Sequence, residues 1–456
     1  MRRRRLALLL AVVVIVAATV IVLLGGSEEG ISGPRRLAPG RGATETTRDP
    51  LAYDASRRED FERRAAAGLA HVLYAKSPGG ALETAKRVER FRPLVEDVAK
   101  RAHADPDTLE AIAFLESAGR PDAAASSDLS SAVGLTQILA ETATGLLGLK
   151  VDVGASERLT RRIARGGPAG RIRALEAKRR RVDERFDPRK ALEATTRYLA
   201  FAQGQLDRDD LAVESYHMGV GNLQRALKAY GAGDIPYAQL FFDSTPVRHA
   251  EAWQVLAGLG DDSSTYLWRI GAAKDMMSLY RDDPRKLAER ELLQAGPSAE
   301  HVLRPPDRTP SFPDDASLRT GELVMVDGPG LRPSRTLAAG PAGHRALRED
   351  ALKLLRYLAA GVREASHTTP IAVTAATRSV AAEGRDTRGA FGVEAPPSEH
   401  TTGYAFDLSR RYRTADQAQA LQFWLDRLTA LNVIAWAREP TTIHATVGPL
   451  ASELPG

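Results

Sequence analysis

Glu116 closes an apolar helical run, Ala111-Ile-Ala-Phe-Leu-Glu116, and Gly119 and Pro121 stop the helix just after it. Flanked by Phe114 and Leu115, its carboxyl is expected to be partly desolvated, which raises its pKa and keeps a proton available near neutral pH. A general acid needs such a proton; the plainer alternative is a helix-end glutamate facing water. A second group lies toward the C-terminus. His400 and Asp407 stand in Ser398-Glu-His400-Thr-Thr-Gly403-Tyr-Ala405-Phe-Asp407, and His444 in the alternating run Ile443-His444-Ala445-Thr446-Val447. In a strand, Ala405 and Asp407 point one way while Tyr404, Phe406 and Leu408 point the other, so an acid enters a site as aromatics fill the core. His400, on the preceding loop, reaches the same point. Two imidazoles, a carboxylate and a water make an open catalytic zinc site, whereas a His-Asp pair also forms simply as a hydrogen bond.

The elements that must hold these residues can be read from periodicity. From 61 to 293 apolar residues recur at spacings of three and four, as in Leu94, Val95, Val98 and Leu109, Ile112, Ala113, which predicts a mainly α domain. Asp105-Pro106 and Asp187-Pro188 each place a capping acid before a first-turn proline. Residues 294–345 carry Pro297, Pro305, Pro306, Pro310, Pro313, Pro329, Pro333 and Pro341, which reads as a linker with one short strand at Glu322 to Val326. A second domain, 346–452, follows. A helix near Leu347 to Val362 precedes strands at Ile371 to Thr374, Tyr404 to Leu408, Val433 to Trp436 and Ile443 to Val447, an α+β order.

Length and composition bound the rest. At 456 residues the chain is expected to hold two or three domains. The absence of cysteine excludes disulfide scaffolds, thiolate metal sites and thiol catalysis, so a metal must rest on His, Asp or Glu. Without Arg2, Arg3, Arg4 and Arg5 the charge balance is 59 basic residues against 58 acidic, which removes the basis for nucleic-acid binding. Those arginines precede residues 6–24, an apolar run whose one polar side chain is Thr19, about long enough for a hydrocarbon core of roughly 30 Å. The positive-inside rule places residues 1–5 in the cytoplasm, 25–60 as an outer stem and the body on the extracytoplasmic side of the cell membrane. A cleaved signal peptide has the same basic start, but its apolar core usually spans only about 7 to 15 residues, so the length favours a retained single-pass anchor.

Around Glu116-Ser117 the order of motifs is informative. Val133-Gly134-Leu135-Thr136-Gln137, Phe186-Asp187-Pro188 with Tyr198-Leu199, and Ser215-Tyr216-His217-Met218-Gly219 follow in turn. Over residues 90 to 230 this resembles the soluble lytic transglycosylase family, whose motifs run Glu-Ser, Gly-Leu-Met-Gln, an Asp-Pro helix start and Ala-Tyr-Asn-Ala-Gly. The resemblance implies a lysozyme-like helical fold that cleaves the MurNAc-GlcNAc linkage without a cofactor. Glu116 would serve as acid and then base, Ser117 as its hydrogen-bonding neighbour, and Gln137 and Tyr216 as contacts to the sugar or to the glutamate. Thr136 and His217 depart from the family pattern, standing where it has Met and Asn. One carboxyl suffices for an intramolecular attack that leaves a 1,6-anhydro sugar, whereas a hydrolysing muramidase wants a second acid, for which Asp122, Asp128 and Glu141 are near in sequence.

The segment from Ser398 to Asp407 is similar to the zinc D-Ala-D-Ala carboxypeptidases of the VanY type, whose signature is Ser-x-His-x-x-Gly-x-Ala-x-Asp followed by a late histidine. The likeness covers about 350 to 450 and implies zinc held by His400, Asp407 and His444. Thr374-Ala-Ala-Thr377-Arg378-Ser379 resembles their Ser-Gly-Tyr-Arg-Ser, which implies that Arg378 steadies substrate or developing charge. The family's base, three residues before the second histidine, is Thr441 here; Glu439, next to Pro440 in a hairpin tip, is the acid that would take its place. The remaining histidines, His249, His301, His344 and His367, read as surface or packed residues. Together the two resemblances imply a membrane-anchored enzyme acting on the glycan strands and stem peptides of peptidoglycan, with a non-catalytic wall-binding scaffold as the alternative.

Overall fold

The computed structural model describes residues 49–260, 262–383 and 398–454. The apolar run 6–24, expected to be the membrane anchor, lies outside them. Among the described residues no helix is long and apolar enough to cross a membrane. The described chain is mostly helical with an α/β region toward its C-terminal end, and it divides into two compact units. One comprises Lys76–Gln224 and Leu259–Leu287; the other comprises residues 49–75, 225–258 and 288–454.

In the first unit, helices α1 (Arg92–Ala102), α2 (Pro106–Ser117), α3 (Pro188–Leu206), α4 (Asp209–Met218) and α5 (Tyr266–Asp282) surround the catalytic candidate. The two Asp-Pro signals start helices as expected. Asp105 accepts from the amides of Asp107 and Thr108, and Asp187 from those of Arg189 and Lys190, satisfying donors that a helix start leaves open. Val95 and Val98 of α1, Leu109 and Ala113 of α2 and Leu192 of α3 share one core with Leu135 and Ile138 of the intervening loop. That core fixes α2 rigidly up to its last turn. There Ala118 turns left-handed (φ 53°), its amide bonds Phe114 O, and Gly119 N reaches Ala113 O at 3.2 Å, so the helix closes two residues after Glu116.

A buried ion pair holds the loop that crosses this unit. Arg185 and Asp183 are both 0% exposed, joined at 2.9 Å, and Arg185 also donates to Leu129 O, Ser131 O and Ile138 O. Gly134 lies against the same residue: a Cβ there would sit 2.0 Å from Arg185 O, and its φ of +87° suits glycine. The Gly-Leu-Thr-Gln turn is therefore moulded onto a fully buried guanidinium.

The second unit is organised on a five-stranded sheet in the order β2-β4-β5-β7-β6, with β2 (Leu331–Pro333), β4 (Ile371–Ala375), β5 (Ala405–Ser409), β6 (Ile434–Arg438) and β7 (Thr442–Val447). β2 runs parallel to β4 and the other pairings are antiparallel. β1 (Leu323–Met325) pairs separately with β3 (Ala346–Arg348). Helices α7 (Glu349–Ser366) and α8 (Ala415–Ala430) pack together at Gly361, where a Cβ would meet the Trp424 indole at 2.3 Å. A short helix α6, Glu300–Leu303, precedes β1.

Two boundaries differ from the expected ones. Residues 61–75 and 225–258 belong with the sheet rather than with the rest of 61–293: Phe61 meets Phe242 edge-on at 5.1 Å, and Trp253 meets Phe423 at 5.8 Å. A helical period shows that a face is apolar without showing which core receives it. The Pro-rich stretch 294–345, expected as a linker, contributes α6, β1 and β2. Pro333 fits because β2 is an edge strand, where a missing N–H costs no ladder bond.

Candidate functional site

Beyond its first-turn Asp107, α2 carries two acids in contrasting surroundings. Glu110, 1% exposed, meets Arg281 at 2.9 Å and Arg92 at 3.2 Å, so its charge is compensated and it serves the packing. Glu116, half-buried in the last turn, has no such direct cation. Its carboxyl is pushed up to about 7, chiefly by burial, against a hydrogen bond from Tyr266 and the charge of Arg269, with Asp262 adding to the rise. Tyr266 Oη donates to Glu116 Oε1 at 2.8 Å. The Tyr266 phenol is itself held far above its ordinary range, first by burial and then by Glu116, so it stays protonated and donates to the carboxyl. The acid nearest in effect, Asp262, is engaged by Arg269 at 2.6 Å.

The Tyr266 ring, 1% exposed, is fixed from α4. It stacks on Tyr216 at 6.2 Å and on His217 at 5.3 Å, while Glu214 takes the Leu267 amide at 2.8 Å, placing a carboxylate on the first turn of α5. His217 Nδ1 bonds Ser263 Oγ at 2.8 Å, so the departure from Asn adds an imidazole to this stack. Tyr216 Oη donates to Thr136 O at 2.7 Å, which ties α4 to the Gly-Leu-Thr-Gln turn. Gln137 at the end of that turn is left-handed (φ 50°), a strained conformation for a residue with a Cβ. Its amide nitrogen bonds Gly134 O and Ala123 O, which leaves the side-chain oxygen as the group that can face a ligand.

Glu116, Gln137 and Tyr216 are thus bound into one framework through Tyr266 and Thr136. Ser117 is placed differently from expectation. Its hydroxyl, 1% exposed, donates to Ala113 O and accepts from the Arg120 amide, so it closes the helix end instead of addressing the carboxyl or a sugar. Of the acids suggested as a second carboxylate, Asp128 accepts from the Ser130 amide and hydroxyl, and Glu141 is exposed in the first turn of another helix. Tyr266, Arg269 and Glu214 were not singled out from the sequence. The signal available for the first two was an aromatic and a base three apart, just after the polar turn Ser263-Ser264-Thr265.

In the second unit the strand register does what the alternation requires. Asp407 on β5 is directly opposite His444 on β7, and Phe406 and Leu408 turn into the core. His400 sits in the helical turn Glu399–Thr402, started by the Ser398 hydroxyl and ended by left-handed Gly403. Asp407 Oδ1 lies 3.0 Å from both His400 Nε2 and His444 Nδ1, and one atom from each residue falls within 4.8 Å of the others. Burial pushes the Asp407 carboxyl up, but the two imidazole bonds outweigh it and hold it well below the usual range. Burial likewise lowers His444, yet Asp407 and Glu300 raise it to about 9.

Arg378 is half-exposed beside this group. Its amide donates to His400 O, and its guanidinium stands 3.9 Å from Asp407 Oδ2. Glu439 is displaced from it. The cross-strand partner of His444 is Ala437, so Glu439 is one side-chain repeat further along, exposed at the hairpin tip, where its carboxylate accepts from the Thr442 hydroxyl. The acid that does reach His444 is Glu300 of α6, whose Oε2 is 2.9 Å from His444 Nε2. Its neighbour His301, expected as a surface or packed residue, bonds the buried Glu399. No curated protein matches the chain. One family model, the transglycosylase SLT domain, matches residues 170–238, the segment that holds α3, Tyr216 and His217 and starts downstream of Glu116.

Proposed function

We propose that this chain is a peptidoglycan-remodelling enzyme whose first unit is a lytic transglycosylase cleaving MurNAc-GlcNAc bonds. The transglycosylase SLT match supports a peptidoglycan-acting, lysozyme-like function, and the observation that carries the finer reading is Glu116 near pKa 7 under the Tyr266 hydroxyl. The proton on Glu116 passes to the glycosidic oxygen as the bond to C1 breaks. The resulting carboxylate, steadied by Tyr266 and Arg269, then takes the proton of the same sugar's C6 hydroxyl as O6 bonds to C1. The products are a free GlcNAc hydroxyl and a 1,6-anhydro end, and no water is consumed.

Mass analysis of purified peptidoglycan digested with residues 25–456 tests this. Anhydro ends are expected; reducing ends would replace the reading with a hydrolysing muramidase, and undigested glycan with a binding scaffold. Removing the Tyr266 hydroxyl by Tyr266→Phe takes away a bond that favours the charged form of Glu116. The pKa then rises further, the limb on which activity falls moves to higher pH, and kcat drops about tenfold from lost positioning. A pH–rate profile checks it.

The second unit is proposed as a zinc D,D-peptidase on stem peptides. The donor set fits such an ion: His400 Nε2, Asp407 Oδ1 and His444 Nδ1 converge, while the opposite ring nitrogens bond Ala376 O at 2.7 Å and Glu300 Oε2 at 2.9 Å. A zinc ion held there supplies Lewis acidity toward a peptide carbonyl. In this reading Arg378, 3.9 Å from Asp407 Oδ2, would bind a carboxylate or carbonyl oxygen of the stem peptide; Glu439 has no part in it. Asp407→Ala is expected to abolish stoichiometric zinc in the dialysed protein, measured by elemental analysis, with wild type retaining one ion. The body is proposed to sit on the outer side of the cell membrane, held by residues 6–24; membrane fractionation with external protease tests this.

A further inference from the structure

We propose that Glu300 is the positioning residue that makes His444 a ligand through Nδ1. The proposal rests on the zinc reading of the second unit. An imidazole offers its lone pair from one nitrogen only, and the nitrogen that carries hydrogen is set by the acceptor it faces. Both His444 nitrogens face carboxylates, Nε2 toward Glu300 Oε2 at 2.9 Å and Nδ1 toward Asp407 Oδ1 at 3.0 Å; an ion bound beside Asp407 and His400 would take the Nδ1 side, so the hydrogen that Glu300 accepts stays on Nε2 and Nδ1 is the ligating atom. His400 follows the same rule with the nitrogens exchanged: Nδ1 donates to Ala376 O at 2.7 Å and Nε2 faces Asp407. Two rings of opposite orientation thereby present lone pairs to one point.

Glu300 is itself held for this task. Thr446, two residues along β7 and on the same face as His444, donates its hydroxyl to Glu300 Oε2 at 3.2 Å. Just beyond α6, Arg304 donates to Val447 O at 2.8 Å and lies over the Tyr404 ring at 3.5 Å, while Leu303 is buried. The helix is therefore fastened to β7 on one side and to the entrance of β5 on the other, with Glu300 at its first position. Such outer carboxylates fix ring orientation and raise ligand basicity, and their loss typically weakens metal binding about 10- to 100-fold.

The test uses the whole exported chain, residues 25–456, titrated with zinc against a competing chelator, together with ¹⁵N spectra of the histidines in the loaded protein. Glu300→Ala is expected to weaken zinc 10- to 100-fold and to scramble the two His444 nitrogen signals, which in wild type read as metal-bound Nδ1 and protonated Nε2. Glu300→Gln, whose amide oxygen still accepts from Nε2–H and Thr446, is expected to recover most of the affinity and the wild-type signals, and a thermal melt shows that the variants fold. Wild-type affinity and spectra in a folded Glu300→Ala protein would overturn the role of Glu300 and leave the zinc reading standing. If wild type takes up no more zinc than Asp407→Ala, the zinc reading fails and this inference with it.

Discussion

Glu116→Gln is expected to lower glycan cleavage by at least a thousandfold while leaving the fold intact. General acid–base catalysis contributes about 10² to 10⁴ in rate for one proton transfer, and here one carboxyl is asked to serve both transfers in succession. Gln keeps the size of the side chain and can still accept from Tyr266 Oη, so lost activity is not lost architecture. The pH dependence has a definite sign. With a folded pKa near 7 the group holds the required proton at and below neutrality, so activity falls as pH rises through about 7. Stability falls in the same direction, over a lower range of pH. A carboxyl whose folded pKa exceeds its ordinary value of 4.5 destabilises the native state as pH rises from that value to about 7. The Gln variant lacks this penalty and is expected to melt higher than wild type at pH 8, by on the order of 1 to 2 kcal/mol after allowance for partial exposure. Turbidity clearance of cell-wall suspensions and melts at pH 5 and 8 measure both halves; an active Gln variant would remove Glu116 from the chemistry.

Arg185→Met is expected to cost about 3 to 5 kcal/mol, because it strands the fully buried Asp183 charge and removes a donor from the carbonyls of Leu129, Ser131 and Ile138, the last of which keeps the Val133 amide. For a unit of this size that is a fall of roughly 10 °C in its transition. The double variant Asp183→Asn with Arg185→Met removes both charges and should regain part of the loss. Activity should fall with the single variant even below its melting point, since Arg185 carries the turn bearing Gln137. Differential scanning calorimetry and chemical denaturation check the energetics; a change under 1 kcal/mol would show that the ion pair is not what fixes the loop.

Local signals in the sequence are legible where the physics is local. Asp105 and Asp187 cap helices because an acid before proline satisfies amides two and three residues away. The alternation of Ala405, Phe406, Asp407 and Leu408 survives because a strand must send neighbours to opposite faces, and the hairpin register then puts His444 beside Asp407. Partners set by tertiary packing were not legible. Tyr266 reaches Glu116 across 150 residues, and Glu300 reaches His444 across 144. Both stand in stretches whose own patterns say only helix start or Pro-rich connector. Ser117 and Glu439 misled for the converse reason: adjacency to a motif says nothing about where a short side chain finds its nearest acceptor, or how far a turn carries an acid from its strand.

The interleaving of the two units has a consequence for biogenesis. In the sheet-bearing unit Phe61 packs on Phe242, and the Arg427 guanidinium lies over both Phe242 and Phe423, while the described residues of the other unit fall between Phe61 and Phe423 in sequence. A chain emerging from its N-terminal end can complete the helical, Glu116-bearing unit once Leu287 has passed, but the sheet stays open until β7 arrives. Its early segment, 49–75, waits about 180 residues for Phe242, against which Phe61 packs, and longer still for the sheet to close. Chaperones that shelter such a segment, and proteases that sample it, therefore act on the sheet-bearing unit after the helical, Glu116-bearing unit has folded.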